Sequence, residues 1–307
     1  MMPAYVVDQI DVVTIADGSS FAAMDMMSPF VWKEGERYRI MVRAVPDPLR
    51  PNDPTGIIAS GWSDDGLEFH LDHQPAIAPD TAPDAADAAD AGGCEDPTVL
   101  VRPDGYVVYY TGVDARREQG AMVAAAGTSV EALTKRRVVL KAPPGEGNIK
   151  EATIVQTPAG DWRLFYEYAA AFENGVAASR IGVARADALG DTWIALDDPF
   201  GIRVDGWDNW HLSTGPICQM PGADPVMFYN GATLDARWRI GWVSFSPDFS
   251  RVTGRGIEPV ILPPPPANRD KTDIAFAASS VIEGDMISLY YSLEDSILRR
   301  ARIRYYA

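Results

Sequence analysis

Acidic residues stand directly before several apolar segments of this 307-residue chain. Glu95 and Asp96 precede PTVLV, Glu151 opens EATIV, and Asp25 stands three residues before SPFVW. A carboxylate at the start of a buried strand must be hydrated, paired or used in chemistry, because burying an isolated charge is costly. Two carboxyl groups held close together raise the pKa of one of them, which keeps that group protonated near neutral pH. Such a set suits cleavage of a glycosidic bond, which needs an acid and, for inversion, a second carboxylate that activates water.

Other polar residues occupy corresponding positions along the chain. Lys150 precedes Glu151, His211 lies in WHLSTGPI, and Asp273 lies in TDIAFAAS. For any one of these residues, a strand cap or a salt-bridge partner is the simpler interpretation. Their recurrence at equivalent positions favours convergence on one site, since carboxylates that serve only solvation would be scattered.

The elements that position these residues form a repeat. Each copy is a short apolar strand, a Gly-bearing turn, and a strand rich in aromatic and β-branched residues. In the copy that follows Asp96, the turn is RPDG, where Pro sets φ and Gly tolerates a positive φ. The copies start roughly 60 residues apart, a period typical of propellers and arrays. They span 28–45, 97–112, 151–168, 214–231 and 278–295.

Third and fourth strands follow some of these hairpins, as in 56–70 and 179–196, and helical periodicity is nearly absent. The pattern predicts an all-β fold, a five-bladed β-propeller with a central active-site pocket, formed by one domain over 1–307. The N-terminal segment AYVVDQIDVVT is expected to complete the last blade beside LRRARIRYY. Two tandem β-sandwiches are the alternative, which the even placement of the hairpins disfavours.

The composition restricts the partners. The chain has 27 Lys and Arg against 43 Asp and Glu, a formal net charge of −16. Nucleic acid and anionic membranes both favour basic patches, so neither is expected as a partner. Two cysteines, no apolar run of about 18 residues and no basic segment followed by an apolar run at the N-terminus predict a cytoplasmic protein.

No other constellation predicts chemistry as clearly. The three histidines do not form a metal-ligand pattern, and neither a Ser–His–Asp set nor a phosphate-cradling Gly loop is present. We therefore expect no metal and no cofactor. The aromatic faces of Trp207, Trp210 and Tyr291 either pack on sugar rings or belong to the core.

Several segments resemble glycoside hydrolase family 130, whose members are five-bladed propellers that act on β-mannosides as inverting phosphorylases or as hydrolases. The segments are MVRAVPDP, GCEDPTV, YYTGVDA, GPICQ with VMFYNGATL, and ISLYYSLEDSILRRARI, which occur in the same order over about residues 25–303. The chain also resembles the propeller glycosidases of families 43 and 32. In those families three carboxylates on the first three blades act together, and Asp25, Asp96 and Glu151 fall in those places.

The resemblance to family 130 implies roles for individual residues. Asp96 matches the general acid, Arg43 a sugar-binding arginine of the first blade, and Lys150 the lysine that opens the third blade. Asp273 matches an acidic substrate ligand of the fifth blade. Glu95 is expected to shape the site or to pair with a base such as Arg43.

Two departures bear on the reaction. Thr98 stands where the phosphorylases usually have Arg after Glu-Asp-Pro, and Asn230 stands where they usually have His on the fourth blade. Both positions are associated with phosphate binding, which relies on charged hydrogen-bond donors. Their loss favours a hydrolase over a phosphorylase, although Arg116, Arg117 and Lys150 remain near in sequence. A non-catalytic sugar-binding propeller is the third possibility.

The second carboxylate of an inverting hydrolase stands ~6.5–9.5 Å from the acid. Glu151 is the first choice, because it begins its strand directly, and Asp25 is the other. Strand alternation predicts that Lys150 points to the opposite face from Glu151, so that the two would not neutralise each other. The sequence thus predicts catalytic roles for Asp96, Glu151 and Asp25, and substrate contacts from Arg43, Glu95, Lys150, His211, Asn230 and Asp273.

Overall fold

A computed structural model describes residues 4–80, 88–142, 147–173, 176–264 and 274–306. These residues form strands, turns and loops, and no helix among them is long and apolar enough to span a membrane. The all-β prediction is therefore confirmed. The strands are β1 (Ala4–Val12), β2 (Thr14–Ile15), β3 (Met24–Glu34), β4 (Arg37–Pro46), β5 (Ile57–Ser63), β6 (Glu68–Leu71), β7 (Gly93–Arg102), β8 (Gly105–Val113), β9 (Gly120–Gly127), β10 (Thr134–Lys141), β11 (Ile149–Gln156), β12 (Trp162–Glu173), β13 (Val176–Ala186), β14 (Ile194–Leu196), β15 (His211–Ser213), β16 (Ile217–Cys218), β17 (Val226–Met227), β18 (Asn230–Ala232), β19 (Trp238–Ile240), β20 (Val243–Phe245), β21 (Val252–Arg255), β22 (Ala275–Glu283), β23 (Met286–Leu293) and β24 (Ile297–Tyr306).

The strands of the described residues group into five consecutive units of antiparallel hairpins. Unit one is β3–β6, with β2 added in parallel to β6. Units two and three are the four-stranded sheets β7–β10 and β11–β14. Unit four comprises β15–β21, and unit five comprises β22–β24. This arrangement is consistent with a β-propeller-like fold.

The hairpins within the units form where the sequence predicts them. The turn between β3 and β4 contains Gly35 at a φ of 62°, and the turn between β22 and β23 contains Gly284 at 66°. Glycine adopts this left-handed conformation without steric cost, which is why these apolar segments reverse direction there. The third and fourth strands expected within 56–70 and 179–196 are β5 with β6, and β13 with β14.

The N-terminal strand belongs to the last unit. β1 pairs antiparallel with β24, with Tyr5 opposite Tyr305 and Val12 opposite Arg299. The expectation that AYVVDQIDVVT completes the final sheet is therefore confirmed. The two ends of the described chain are tied together by backbone hydrogen bonds, so that unit five contains sequence from both.

Unit four is less regular than the others. Its strands divide into two small sheets, β15–β18–β19 and β16–β17–β20–β21. The division falls at Gly215 and Pro216, between β15 and β16. Proline has no N–H to donate to a ladder, and a Cβ on Gly215 would lie 1.8 Å from the Phe228 carbonyl oxygen. The hairpin predicted over 214–231 is thus present, with its first strand interrupted.

The core lies between the units. In the part of the chain that the structure describes, five apolar clusters each pack one unit against the next. The cluster between units five and one packs Val31 and Ile40 of unit one against Val281 and Tyr290 of unit five. Burial of each such side chain contributes about 1.5–3 kcal/mol. The first strands of neighbouring units also contact each other: β3 with β7, β7 with β11, and β22 with β3.

Candidate active site

A cavity of about 410 Å³ opens where the first strands of several units come together. Five carboxyl groups and two cationic side chains line it, among the residues that the structure describes. No group of three or more His, Cys, Asp or Glu in the described ranges has a metal-binding arrangement. The lining residues are Met27, Ser28, Arg43, Val45, Leu49, Thr55, Glu95, Asp96, Lys150, Glu151, Glu167, Trp238, Ile274, Phe276, Ser292 and Asp295.

A repeated backbone irregularity aims the central side chains into this cavity. The register of the pairing between β3 and β4 shifts between Met27 and Phe30, and Ser28 lies within this shift. Corresponding shifts span Asp96 in β7 and Glu151 in β11. Ser28, Asp96 and Glu151 have φ values of 50°, 50° and 56°, in the left-handed region that non-glycine residues seldom adopt. Such strained bulges concentrate at functional sites, where they redirect a side chain.

The side chain of Glu151 is hydrogen-bonded to Asp96, and both side chains line the cavity. Burial raises the pKa of Glu151 well above its ordinary value, and the negative charge of Asp96 raises it further. Ser28 Oγ donates a hydrogen bond to Asp96 Oδ1 at 2.7 Å. Two carboxyl groups in contact share a proton, because both cannot be ionised at low cost. This arrangement suits the transfer of a proton from the site.

The backbone of Glu151 is fixed by the two neighbouring units. Its N–H donates to Thr111 Oγ1 at 3.2 Å in unit two, and its carbonyl oxygen accepts from Thr214 Oγ1 in unit four. Thr98 Oγ1 donates to the Ala152 carbonyl oxygen at 2.5 Å, which ties β7 to β11 beside the pair. These contacts hold the pair on a rigid support, as a catalytic constellation requires.

Arg43 and Glu95 form the pair that the sequence suggested. Arg43 Nη2 donates to Glu95 Oε1 at 2.7 Å and to the Thr55 carbonyl oxygen at 2.9 Å. Arg43 Nη1 lies 3.6 Å from Asp96 Oδ1. Burial raises the pKa of Glu95, although the charge of Arg43 opposes this shift. The guanidinium thus links Glu95, Asp96 and the loop before β5.

Lys150 and Glu151 line the same cavity, which corrects the prediction that they point to opposite faces. The bulge after Lys150 breaks the strict alternation of side chains, so both reach the same space. Lys150 Nζ lies 3.7 Å from Glu167 Oε1, and this carboxylate raises the pKa of Lys150 above its ordinary value. Glu167 Oε2 is buried without a hydrogen-bond partner. The charge of Lys150 also reaches Glu151 and lowers its pKa, against the larger effect of burial.

Asp295, in the turn between β23 and β24, supplies a carboxyl group from unit five. Burial raises its pKa; Arg43 opposes this shift, whereas the charges of Asp96 and Asp25 add to it. Asp25 itself lies in β3, opposite Val45, and does not line the cavity. Unit one therefore places Ser28 rather than Asp25 beside Asp96.

Two aromatic side chains, Trp238 and Phe276, form an apolar part of the cavity wall. Their ring centroids lie 5.2 Å apart with an interplanar angle of 62°. His211 stacks on Trp238 at 5.5 Å, and its Nδ1 accepts from the Ser179 backbone N–H at 3.3 Å. Burial lowers the pKa of His211, which keeps the imidazole neutral at neutral pH. A neutral ring surface of this kind suits the apolar faces of a sugar.

The aromatic residues named from the sequence lie elsewhere. Trp207 stacks on Tyr229 and donates to the Ile257 carbonyl oxygen at 3.0 Å. Trp210 donates to the Ala177 carbonyl oxygen at 2.9 Å, and Tyr291 is buried in the core. Of the two interpretations, packing within the protein is the one that the structure supports.

Asn230 has a buried side chain whose amide bonds to the backbone of two units. Its Nδ2 donates to the carbonyl oxygens of Thr214 and Ala277, at 2.5 and 3.2 Å. Its Oδ1 accepts from the Ala277 N–H at 2.7 Å. These bonds use both ends of the amide to join unit four to unit five.

Asn230→Ala is accordingly expected to lower the free energy of unfolding, by about 1–3 kcal/mol for each buried backbone group left unbonded. Urea unfolding measures this loss, and the exposed Asn52→Ala is the matched control. An unchanged unfolding midpoint together with a raised KM would instead support the substrate contact predicted from the sequence.

Asp273 lies outside the described residues, so its predicted contact stays a prediction. The polar and aromatic lining residues that the sequence reasoning did not find include Ser28, Glu167, Trp238, Phe276 and Asp295. Only Asp295 carried a sequence signal, since it lies in the YYSLEDSILRRA segment. Glu167 lies in β12, Trp238 in β19 and Phe276 in β22, and Ser28 lies at a bulge whose direction depends on pairing with another strand.

A larger groove of about 830 Å³ lies between units two and three, near Val101, Tyr106 and Trp162. It contains none of the residues predicted to be catalytic. The smaller cavity is the better candidate, because it combines buried carboxyl groups, cations and strained backbone in one place.

No family model matches the sequence, and no curated protein matches it either. Solved structures do. The β-1,2-mannobiose phosphorylase of Listeria innocua, in complex with β-1,2-mannobiose, is 17% identical with a TM-score of 0.74, over 97% of this chain and 91% of that one. A structure from the GH130 mannoside phosphorylase family, described as containing hydrolases that target β-1,2-mannosidic linkages in Candida mannan, is 18% identical with a TM-score of 0.76, over 98% and 95%. A glycosyl hydrolase from Bacteroides ovatus is 20% identical with a TM-score of 0.71, over 91% and 84%. The resemblance to family 130 is confirmed at the level of the fold.

Proposed function

We propose that this chain is a glycoside hydrolase that cleaves a β-mannoside or a related oligosaccharide with inversion. In this proposal residues 1–307 form one domain, a five-bladed β-propeller whose blades are the five units, with the 410 Å³ cavity at its axis. The apolar clusters between consecutive units, including the one between units five and one, support the closed ring. The mannoside-active structures of the same fold support the substrate class.

The observation that carries the proposal is the hydrogen-bonded pair of Asp96 and Glu151 in a cavity with an aromatic wall. Burial and the adjacent charge of Asp96 raise the pKa of Glu151 well above its ordinary value, which favours its protonated form. A glycosidic oxygen is a poor leaving group unless it is protonated as the bond breaks. A buried carboxylic acid beside a ring-binding surface supplies that proton.

The base must stand apart from this pair. Glu151 is hydrogen-bonded to Asp96, so its carboxyl group does not stand ~6.5–9.5 Å from the acid as the base of an inverting hydrolase does. Asp295 interacts with Asp96 through space and lies on the wall contributed by unit five. We assign the base to Asp295, whose raised pKa makes its carboxylate a stronger proton acceptor.

The reaction then balances as a hydrolysis. The pair gives its proton to the glycosidic oxygen while the bond from the anomeric carbon to that oxygen breaks, and the oxygen keeps the electron pair. Water attacks the anomeric carbon from the opposite face and loses a proton to Asp295. Solvent returns one proton to the acid pair and accepts one from Asp295, so that the net consumption is one water.

The charges of the cavity favour water over phosphate as the attacking group. Arg43 is bonded to Glu95 and to the Thr55 carbonyl oxygen, and Lys150 stands beside Glu167. Of the sequence-nearby arginines, Arg117 donates to the Asp53 carbonyl oxygen. Binding of a phosphate dianion depends on charged hydrogen-bond donors. Both cations of the cavity already have acidic partners, so they attract a dianion only weakly. The binding of a neutral sugar does not depend on unpaired cations.

A phosphorylase is the second candidate, because Lys150 keeps 38% of its side chain exposed and the Listeria phosphorylase shares the fold. A phosphorylase would need Asp96 and Glu151 for the acid but no base. A non-catalytic sugar-binding propeller would use the aromatic wall and Arg43 without the proton-sharing pair.

The test is incubation with β-manno-oligosaccharides and aryl β-mannosides, with and without inorganic phosphate. We expect free mannose or shorter oligosaccharides at equal rates in both, and Asp96→Asn serves as the inactive control. Sugar phosphate formed only when phosphate is present would replace the hydrolase with the phosphorylase. Binding without any product would indicate the non-catalytic module.

The cellular location and the absence of a cofactor stay predictions. Cys94 and Cys218 are both buried free thiols, which is compatible with a reducing compartment. Activity that survives dialysis against a metal chelator would support a reaction carried by side chains alone.

A further inference from the structure

The charged and the apolar side chains of the 410 Å³ cavity come from different units. Units two and three supply most of the charged residues, and Arg43 of unit one donates to Glu95 of unit two. Among the lining residues that the structure describes, the apolar side chains all come from units four, five and one, and we call them the apolar wall. They are Met27, Val45, Leu49, Trp238, Ile274 and Phe276.

The apolar wall is separate from the core. In the described part of the chain, none of its six side chains belongs to the five clusters that pack the units against one another. Met27, Val45 and Ile274 are nevertheless each only 8% exposed, whereas Leu49 keeps 47% of its surface exposed. Apolar side chains that line an open cavity without joining the core indicate a binding surface.

Met27 shows how unit one differs from its neighbours. It directly precedes the bulge of β3, as Glu95 precedes the bulge of β7 and Lys150 precedes the bulge of β11. Residues opposite each other in an antiparallel pair share a face of the sheet, which places Met27 beside Arg43, and Val45 lies two residues further along β4 on the same face. Unit one therefore presents a thioether and an isopropyl group where units two and three present charges.

The wall continues from unit one into units five and four. The first strands β3 and β22 lie side by side, and Ser279 Oγ donates to the Pro29 carbonyl oxygen at 2.7 Å between them. Ile274, just before β22, forms a bridge with Trp238, whose ring packs edge-on against that of Phe276. The apolar surface thus extends over three neighbouring units.

A surface of this kind restricts the sugar that binds against it. A hydroxyl group that faces the wall loses its hydrogen bonds to water and gains none from these side chains, whereas a methyl group loses no hydrogen bond. In the proposed mechanism the leaving oxygen lies at Asp96 and Glu151, and the attacking water lies at Asp295. Because Asp295 belongs to the same units as the wall, the wall faces the released sugar and not the leaving group.

We propose that the sugar released by this enzyme carries a methyl group, as a deoxy or an O-methyl sugar does, and that the apolar wall selects it. This inference rests on the proposed glycosidase function and narrows its substrate class. Met27 and Val45 are the specificity-determining residues of unit one, because they stand on the face that also presents Arg43 to the cavity.

The test compares aryl glycosides that share one leaving group. They are the β-mannoside, its analogue with a methyl group in place of the hydroxymethyl group, and the mono-O-methyl β-mannosides. At least one methyl-bearing substrate should exceed the unmodified mannoside about 10–100-fold in kcat/KM, the usual discrimination of an apolar pocket. The comparison among them distinguishes a deoxy sugar from an O-methyl sugar. Equal or lower kcat/KM for every methyl-bearing substrate would overturn the proposal.

Val45→Thr replaces one methyl group of the wall with a hydroxyl and nearly keeps the shape of the side chain. It should lower the preference for the methyl-bearing substrate about 10-fold, because the new hydroxyl offers a partner to a sugar hydroxyl. Met27→Gln should act in the same direction. Differences in intrinsic reactivity between the substrates cancel, since both are measured on wild type and variant.

Val138→Thr is the matched control, because Val138 is 46% exposed in β10 and does not line the cavity. It should leave the preference unchanged. An unchanged preference in both Val45→Thr and Met27→Gln would show that the wall does not select the methyl group. A larger gain from an octyl than from a sugar leaving group on unmodified mannose would place the wall at the leaving group, and would also overturn the proposal.

Affinity separates this inference from the proposed function. Titration calorimetry with the free sugars measures binding without turnover. If a methyl-bearing sugar binds more tightly than mannose, less so in Val45→Thr, and no glycoside is cleaved, the selection stands and the hydrolase fails. Cleavage of unmodified β-mannosides without any preference would retain the hydrolase and reject the selection.

Discussion

Glu151→Gln, which removes one member of the acid pair, is expected to lower kcat by about 10²–10⁴-fold on glycosides with poor leaving groups, the usual contribution of a general acid. The loss should be much smaller on aryl glycosides whose phenols are acidic, because those oxygens leave without prior protonation. Glutamine keeps the size of the side chain, so the bonds from Thr111 and Thr214 to the Glu151 backbone stay in place. Steady-state rates on a series of aryl leaving groups measure this dependence.

The control is Glu118→Gln, which neutralises an exposed glutamate that does not line the cavity. An equal loss on good and poor leaving groups would contradict the role of acid. The pH profile gives a second check. Because burial and Asp96 raise the pKa of Glu151, the acid form persists to higher pH than usual, and activity should fall as the pH rises through that pKa. In Glu151→Gln this alkaline limb should be absent.

Asp295→Ala is expected to cause the second large loss, also about 10²–10⁴-fold in kcat, because it removes the group that accepts a proton from water. The loss should be similar on good and poor leaving groups, since both need the attack of water. Added azide should restore turnover and form a glycosyl azide, because a small anion can replace a missing base. Product analysis with and without azide measures this rescue.

Asp285→Ala is the matched control in the same unit, since Asp285 is exposed and contacts Arg304 at 3.0 Å. Asp25→Ala tests the carboxylate that the sequence placed in unit one, and it should change the acidic limb of the pH profile without azide rescue. Because burial raises the pKa of Asp295, activity should be lost as the pH falls through that value. Azide rescue of Asp25→Ala but not of Asp295→Ala would move the base to unit one.

The sequence by itself determined the hairpins and the residues nearest to the chemistry. Gly-bearing turns between apolar strands are local signals, and so the paired strands formed where 28–45 and 278–295 predicted them. The acidic pair before PTVLV was also identified from the sequence, because a charged residue at the start of an apolar strand can be recognised without knowledge of the partner strand. The pairing of Arg43 with Glu95 was one of two roles that the sequence left open for Glu95, and the structure shows this pair.

Only the tertiary structure decided where the side chains point. The alternation of a strand predicted that Lys150 and Glu151 would face apart, but the bulge in β11 brings them into one cavity. Whether a strand bulges depends on its register with a partner, which is set by residues distant in sequence. For the same reason Ser28, and not Asp25, meets Asp96, and Glu167 reaches the site from a second strand that carried no local mark of function.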